Sequence, residues 1–274
     1  MIIRPGFELA NLTDSGCVRD RNEDYYCYYE PEDDEEFRAR GRLMVVADGM
    51  GGHEGGQVAS GIAVEVVRRT WSMGNGDPSD LLIAAISNAQ NAILDYAREH
   101  PQLAGMGTTC TAAAVVGDRL YYGHVGDSRL YLIREGAIRR LTRDQSLVQR
   151  LVDRGVISEE EAADHPDRNV LVSALGMRGA VSVDVPETGI SLETGDTLLL
   201  CTDGLHGLVA DAELLDTVAR CEPRQACVAL VRLAKERGGP DNITLQIARL
   251  TGALPEASSA GLKKTRPEYS GAQS

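Results

Sequence analysis

Aromatic residues are scarce in this chain of 274 residues: they make up 4% of the sequence and include a single tryptophan, Trp71. The core must therefore be built mainly from Val, Leu, Ile and Ala side chains. Long apolar runs are also missing, because no stretch approaches the roughly 18–20 residues that a membrane-spanning helix requires. We therefore predict a globular protein without a membrane span.

The six cysteines lack the spacing of a zinc or redox site, since none forms a CxxC pair and none lies at ligand spacing from a histidine. The sequence also shows no secretory leader. Disulfides are rare in proteins of reducing compartments, so we predict a cytoplasmic location.

Basic residues are outnumbered, because 28 Lys and Arg face 41 Asp and Glu and give a formal net charge of −13. A field of this sign repels phosphate backbones, so we expect no nucleic-acid partner. Part of the excess comes from residues 30–36 (EPEDDEE). We interpret this run as a solvated loop between two strands.

Four aspartates stand beside glycine or asparagine at the ends of apolar runs that are far apart in the chain. They are Asp48 in VVADGMGG, Asp127 in YYGHVGDSR, Asp203 in LLLCTDGL and Asp241 in GGPDNITL. Such runs are typical of buried strands, and the glycines allow sharp turns. We expect the four carboxylates to meet, and because they repel one another, a cation must hold them together.

Oxygen-only ligands suit Mg²⁺ or Mn²⁺. In this interpretation two ions share Asp48, the Gly49 carbonyl reaches one of them, and Asp203 and Asp241 supply ligands from other strand ends. Two ions about 3.5–4 Å apart activate a bridging water and clamp the oxygens of an in-line displacement. Hydrolysis of a phosphate ester by the bridging hydroxide is the reaction that best fits two divalent ions with oxygen ligands.

A positive group should lie close to such a site. Arg19 precedes the second strand and has the fork geometry for two phosphate oxygens. Glu23, Asp24 and Asn242 are candidates for hydrogen bonds around the ions rather than for direct ligation.

Each of these residues also has a simpler interpretation. A single Asp-Gly pair is usually a turn, Asp127 fits a hairpin residue or an ion-pair partner, and Arg19 fits a surface pair with a neighbouring aspartate. His53 is followed by Glu54, but Gly55 and Gly56 exclude a helical HExxH zinc motif. We interpret His53 as structural or close to the substrate.

The periodicity predicts strands, a helix pair, strands, a second helix pair and a last strand. The predicted strands are 7–13, 25–29, 42–47, 108–116, 120–125, 129–134, 137–141, 181–185, 197–201 and 243–250. The predicted helices are 57–71, 79–100, 145–154, a short one from 158, 211–220 and 224–237. Each helix pair can cover one sheet, so we predict an α+β fold, a four-layer α-β-β-α sandwich of two antiparallel sheets. Residues 1–252 form the predicted catalytic domain, and 253–274 a disordered tail.

Taken in order, these segments resemble the bacterial branch of the metal-dependent Ser/Thr protein phosphatases, protein phosphatase type 2C. The matching segments are Arg19 with 22–24 (NED), 48–52 (DGMGG), 107–109 (GTT), 126–129 (GDSR), 141–144 (LTRD), 165–176, 202–204 (TDG) and 239–242 (GPDN). The resemblance covers about residues 7–250, and an ordered set of matches is far more specific than any one motif.

The resemblance implies two Mn²⁺ or Mg²⁺ ions, with a third site at Asp127 and Asp203, and it implies that Arg19 binds the phosphate. It also implies a flap at about 143–179, which shapes substrate access. Eukaryotic relatives place a histidine with general-acid duty where this chain has Met50. Either a metal-bound water or another group, such as His53, must then supply the proton.

Two functions of different classes remain in view. The first is a cytoplasmic, monomeric signalling enzyme that removes phosphate from serine and threonine of proteins and reverses a Ser/Thr kinase. The second is a catalytically weak module on the same fold that senses metals or phosphoproteins. Every predicted ligand position is filled, which favours the enzyme. The sequence leaves the physiological substrate and the preferred metal open.

Overall fold

Two antiparallel sheets form the centre of the molecule, which is a computed structural model that describes residues 4–51, 54–179 and 181–252. The strands are β1 Phe7–Asp14, β2 Tyr25–Tyr29, β3 Arg42–Ala47, β4 Gly49–Met50, β5 Gly107–Thr108, β6 Cys110–Val116, β7 Arg119–Val125, β8 Arg129–Arg134, β9 Ala137–Arg140, β10 Ile190–Ser191, β11 Thr197–Cys201 and β12 Ile243–Leu250. The first sheet has the order β1-β12-β11-β8-β9 and the second β10-β7-β6-β3-β2. The short strands β4 and β5 pair separately.

Helices cover the outer face of each sheet. The helices of the described residues are α1 Asp34–Arg40, α2 Gly55–Met73, α3 Pro78–Glu99, α4 Leu147–Asp153, α5 Glu159–Ala163, α6 Asp203–His206, α7 Asp211–Arg220 and α8 Pro223–Glu236, with a 3₁₀ turn at Pro101–Leu103. Helices α2 and α3 pack on the second sheet, and α7 and α8 pack on the first. The predicted four-layer α+β sandwich is confirmed.

Strand β3 shows why the central runs are apolar throughout. Leu43, Val45 and Ala47 point into the layer beneath α2 and α3, whereas Met44 and Val46 pack between the two sheets. Successive side chains of a strand point to opposite faces, and here both faces are covered. A strand with two buried faces has no polar alternation, and its end emerges directly into the site described below.

Two elements differ from the sequence-based prediction. The acidic run 30–36 is not wholly a loop, because α1 begins within it: the Asp33 carboxylate caps the backbone N–H groups of Glu35 and Glu36, and Phe37 is buried. Residues 181–185 are not a strand. Within this stretch only Asp184 makes a bridge, to His124 of β7, and the edge strand is instead β10.

None of the helices in the described ranges combines the length and the apolar character that a bilayer crossing needs. All six cysteines are free thiols. The predicted tail at 253–274 lies outside the described residues, as does His53.

Candidate metal centre

Five aspartates form a carboxylate cluster at one end of the sandwich: Asp24, Asp48, Asp127, Asp203 and Asp241. Asp48 follows β3, Asp203 follows β11, and the others lie in turns next to β2, β8 and β12. Desolvation by the surrounding protein raises the pKa of Asp48 well above its ordinary value, and the charges of the other four raise that pKa further. The structure therefore brings together the four aspartates that the sequence singled out, and adds Asp24 to them.

The glycines next to the aspartates permit this close approach. A Cβ atom on Gly49 would lie 2.2 Å from the carbonyl oxygen of Gly56 and 2.5 Å from that of Glu23. A Cβ atom on Gly204 would lie 1.9 Å from the carbonyl oxygen of Asn242. Any side chain at either position would push the strand ends apart, so the Asp-Gly pairs are required for packing as well as for turning.

The other acids of the cluster are perturbed in the same direction. Burial raises the pKa of Asp24 to about 7, against hydrogen bonds from Thr244 and Thr202 that lower it. Desolvation raises the pKa of Asp127 well above its ordinary value, and the Asp203 charge adds to that rise. The pKa of Asp203 is raised by desolvation and then by the Asp241 charge. The cluster therefore holds more negative charge than its surroundings neutralise.

Two oxygens of the cluster have no hydrogen-bond partner among the described residues: Asp24 Oδ1 and Asp203 Oδ1, both fully buried. Buried polar atoms are normally paired, and these two oxygens are available to a cation. Carboxylate oxygens are the donors that Mg²⁺ and Mn²⁺ prefer. In donor chemistry and in unmet hydrogen-bonding capacity, the residues fit divalent cations.

Within residues 4–51, 54–179 and 181–252, no three His, Cys, Asp or Glu side chains are already arranged around one ion position. The charges of Asp24, Asp203, Asp127 and Asp241 all raise the pKa of Asp48, because like charges without a counter-ion repel one another. A cation offsets this repulsion and allows carboxylates to approach to ligand distances.

Arg19 lies at the mouth of the cluster. Its Nη2 donates to Asp241 Oδ2 at 2.7 Å, and its side chain remains 51% exposed. The alternative of a surface pair with a neighbouring aspartate is wrong, since the partner Asp241 lies 222 positions away in the chain. The Arg19 guanidinium is exposed and lies next to a carboxylate of the kind that binds metal ions, so an incoming anion can reach it.

Asn242 holds the loop that carries Arg19 and Glu23. Its Oδ1 accepts the backbone N–H of Glu23 at 2.8 Å, and its Nδ2 donates to the carbonyl oxygens of Ser15 at 3.1 Å and Arg21 at 2.9 Å. The amide side chain therefore fixes this loop against Asp241. A short side chain with both a donor and an acceptor is needed for this bridge.

Thr109 connects two of the carboxylate loops, a role that its sequence position did not indicate. Its Oγ1 accepts the backbone N–H of Asp48 at 2.9 Å and lies 2.7 Å from Ser128 Oγ, next to Asp127. Thr108 Oγ1 donates to the Asp48 carbonyl at 2.8 Å. These hydroxyl groups are buried, so they orient the loops rather than attack a substrate.

Replacing Thr109 with Val should weaken Mn²⁺ binding by about 10–100-fold, the usual effect of losing a partner that orients a metal ligand. Valine keeps the shape but leaves the Asp48 N–H and the Ser128 hydroxyl without their partner. Calorimetric titration with Mn²⁺ measures the affinity. Thr109→Ser keeps the hydroxyl and should bind within a few-fold of the wild type; equal weakening in both variants would contradict the orienting role.

A histidine also holds the turn that carries Asp127. His206 Nε2 lies 3.0 Å from the Asp127 carbonyl oxygen, and burial lowers the pKa of His206 to about 3. The neutral ring therefore donates to that carbonyl. Arg129 pairs with Asp144 instead of Asp127, with Nη2 2.6 Å from Oδ2. The interpretation of Asp127 as an ion-pair partner is wrong, and its carboxylate remains directed to the cluster.

A cleft of about 680 Å³ opens over the cluster. Arg19, Asp127, Asp203 and Asp241 line it together with residues of α4 and α5, which lie within the predicted flap. The volume is in the usual range for a ligand site. The arrangement can therefore hold cations and an anionic group together and still leave space for a larger substrate.

Comparisons with known proteins identify the family of this chain. The family model described as protein phosphatase 2C matches residues 30–235. The serine/threonine phosphatase stp of Listeria welshimeri is 38% identical over 244 residues, which cover 85% of this chain and 92% of the relative. The solved serine/threonine phosphatase PstP/Ppp of Mycobacterium tuberculosis has a TM-score of 0.79 and 37% identity, covering 90% of this chain and 99% of that one. A PstP catalytic domain in complex with 2 manganese ions has a TM-score of 0.76 and 35% identity, with coverage of 90% and 99%.

Proposed function

Because this chain belongs to the protein phosphatase 2C family, we propose that its carboxylate cluster is the catalytic metal centre. The protein is a metal-dependent serine/threonine phosphatase that uses Mn²⁺ or Mg²⁺. The alternative of a catalytically weak sensing module is not favoured, since every acidic position of the cluster is filled. The proposal concerns which residues carry the reaction and in which pathway the enzyme works.

In this proposal Asp48, the Gly49 carbonyl, Asp203 and Asp241 would hold two divalent ions. Asp127 forms a third site with Asp203. Bound divalent ions supply an activated water and neutralise phosphate charge. The observation that carries these roles is the buried Oδ1 of Asp203, which lacks a hydrogen-bond partner within the described ranges although it lies among acids that raise one another's pKa.

The remaining residues prepare the substrate side. Arg19 exchanges part of its contact with Asp241 for two oxygens of the phosphate, which its fork geometry allows. Glu23 and Asp24 hydrogen-bond water around the centre, and Asn242 keeps their loop in place. Proton delivery to the leaving oxygen cannot come from Met50, because a thioether has no acidic proton.

We further propose a cytoplasmic monomer that reverses a Ser/Thr kinase. The six free thiols support a reducing compartment. The substrates are then proteins phosphorylated on serine or threonine, in agreement with the relatives named serine/threonine phosphatases.

A phosphoproteome of a strain that lacks this protein tests the proposal. Phosphoserine and phosphothreonine peptides should accumulate, and a plasmid copy of the wild type should remove them. A copy with Asp241→Asn should not, although it is made in equal amounts. Unchanged phosphorylation in the deletion strain, or full complementation by Asp241→Asn, would reject the proposed pathway or the proposed ligand, respectively.

A further inference from the structure

The cleft over the carboxylate cluster extends past the residues that are proposed to bind metal ions and phosphate. Five apolar side chains also line the cleft, and we call them the apolar recess: Val148, Val152, Ala162, Ala163 and Leu208. These residues come from α4, from α5 and from the turn after α6. Neither a metal ion nor a phosphate group accounts for an aliphatic wall inside the same cavity.

The recess is held by hydrogen bonds on both sides. Ser146 caps α4 by accepting the backbone N–H of Gln149, and the backbone N–H of Leu147 donates to Val170 at 2.8 Å. On the opposite wall, Arg237 Nη1 donates to the Leu208 carbonyl at 2.6 Å. Walls that are fixed before binding reduce the ordering that a ligand must impose.

We propose that the apolar recess binds an aliphatic side chain of the substrate protein, next to the phosphorylated serine or threonine. This inference rests on the proposed function, because the phosphate end of the same cleft defines where the substrate lies. A volume of about 680 Å³ exceeds what one phosphorylated side chain fills, and apolar walls are best covered by apolar groups. The continuity of the recess with the phosphate end identifies the occupant as the segment flanking the phosphorylated residue.

Charged flanking residues suit the recess poorly. Arg129 and Arg140 both approach Asp144, with nitrogen–oxygen distances of 2.6 Å and 3.5 Å. Glu159 and Asp211 line the same cleft and would repel an acidic side chain. A basic side chain would meet the two arginines. A charged side chain of either sign therefore meets repulsion as well as attraction in this cleft, whereas an aliphatic side chain meets neither.

Small residues set the size of the recess. Ala162 and Ala163 end at Cβ, so the space above α5 is open to a branched aliphatic side chain. A phenylalanine at position 163 would occupy that space. Ala163 is exposed, so its replacement leaves the folded core unchanged.

The test compares two phosphothreonine peptides that differ only in carrying Leu or Ser at the flanking positions. With Mn²⁺, the wild type should show a kcat/KM about tenfold higher for the Leu peptide, the lower end of what apolar pockets achieve. Val152→Ser should reduce that ratio towards one. Val156→Ser is the matched control, because Val156 follows α4, is 64% exposed and does not line the cleft; it should keep the wild-type ratio.

Ala163→Phe provides a second test that does not depend on a change in α4. It should lower kcat/KM for the Leu peptide more than for the Ser peptide, again seen in their ratio. A wild-type ratio near one, or equal ratios in the wild type and both recess variants, would overturn the recess. Failure of the wild type to hydrolyse a small aryl phosphate with Mn²⁺ would instead overturn the proposed function, so the two failures are distinguishable.

Discussion

Replacing Asp203 with Asn is expected to lower Mn²⁺-dependent hydrolysis of a phosphothreonine peptide by about 10²–10³-fold, the loss typical of removing one group that stabilises a transition state electrostatically. The buried Oδ1 of Asp203 has no partner in the described part of the chain, and Asn cannot replace the charge that a cation would need there. The measurement is kcat/KM at saturating Mn²⁺, so that weakened metal binding alone does not account for the result.

Asp216→Asn is the matched control for this variant. Asp216 lies on α7, is 53% exposed and pairs with Arg220, with its Oδ1 2.6 Å from Arg220 Nη2. Exposed ion pairs contribute little to stability, so this variant should keep wild-type turnover. Equal rates for the wild type and Asp203→Asn would reject the assigned role of the cluster, as would full turnover by protein stripped with a chelator.

The positions of the four sequence-predicted aspartates follow from patterns that a single chain contains. Apolar runs such as β3 and β11 are buried on both faces. The residues that follow them therefore lie together at the end of the sandwich, and a glycine after the aspartate allows them to pack closely. Gly204 shows the limit of this logic. The sequence predicts a turn there, but only the structure shows that a Cβ atom would lie 1.9 Å from the Asn242 carbonyl oxygen.

The contacts that hold the carboxylate loops in place could not be predicted from the sequence, because the two partners of each contact are distant in the chain. The Thr109 hydroxyl meets the backbone of Asp48, 61 positions away, and Arg19 meets Asp241, 222 positions away. No local pattern encodes such pairs. The periodicity also predicts a strand at 181–185, and none forms there. Val181 and Val183 are partly buried against the layer beneath α2 and α3, but the stretch does not form a continuous ladder of hydrogen bonds with a neighbouring strand.

The prediction of a loop at residues 30–36 is wrong for a different reason. Charge composition suggested a loop, but Asp33 in the capping position and Phe37 one turn later are the signals of a short helix. Arg4 also pairs with Asp34, and Arg42 pairs with the buried Glu30 at 3.1 Å. The charges of this run are therefore partly neutralised by basic residues that composition alone does not place beside them.

The metal-free protein should become less stable as pH rises from 6.5 to 8. The pKa values of Asp24, Asp48 and Asp127 are raised in the folded state, so in this window the folded state binds more protons than the unfolded state, whose aspartates titrate near 3.9. The free energy of unfolding then falls with pH. His206 and His124 have the opposite effect, because burial lowers their pKa values, but that effect fades as pH rises above 6.5 and the unfolded histidines lose their remaining protons.

Each excess proton changes the free energy of unfolding by about 1.4 kcal/mol per pH unit. For a domain of this size about 1 kcal/mol shifts Tm by about 2–4 °C, so Tm of the metal-free protein should fall by several degrees across the window. Saturating Mn²⁺ should remove the fall or reverse it, because metal binding requires deprotonated carboxylates and strengthens with pH. Scanning calorimetry with and without Mn²⁺ measures both curves.

Asp48→Asn should remove part of this loss of stability. The variant removes a desolvated charge from among like charges, so the metal-free protein should melt several degrees higher than the wild type at pH 8, while the increase in Tm caused by Mn²⁺ largely disappears. Groups that bind a ligand are commonly destabilising when the ligand is absent, and here the cause is mutual repulsion. Asp216→Asn should leave both curves unchanged. A metal-free wild type whose Tm rises from pH 6.5 to 8, or an Asp48→Asn variant that melts lower than the wild type at pH 8, would show that the acids do not repel one another as the structure indicates.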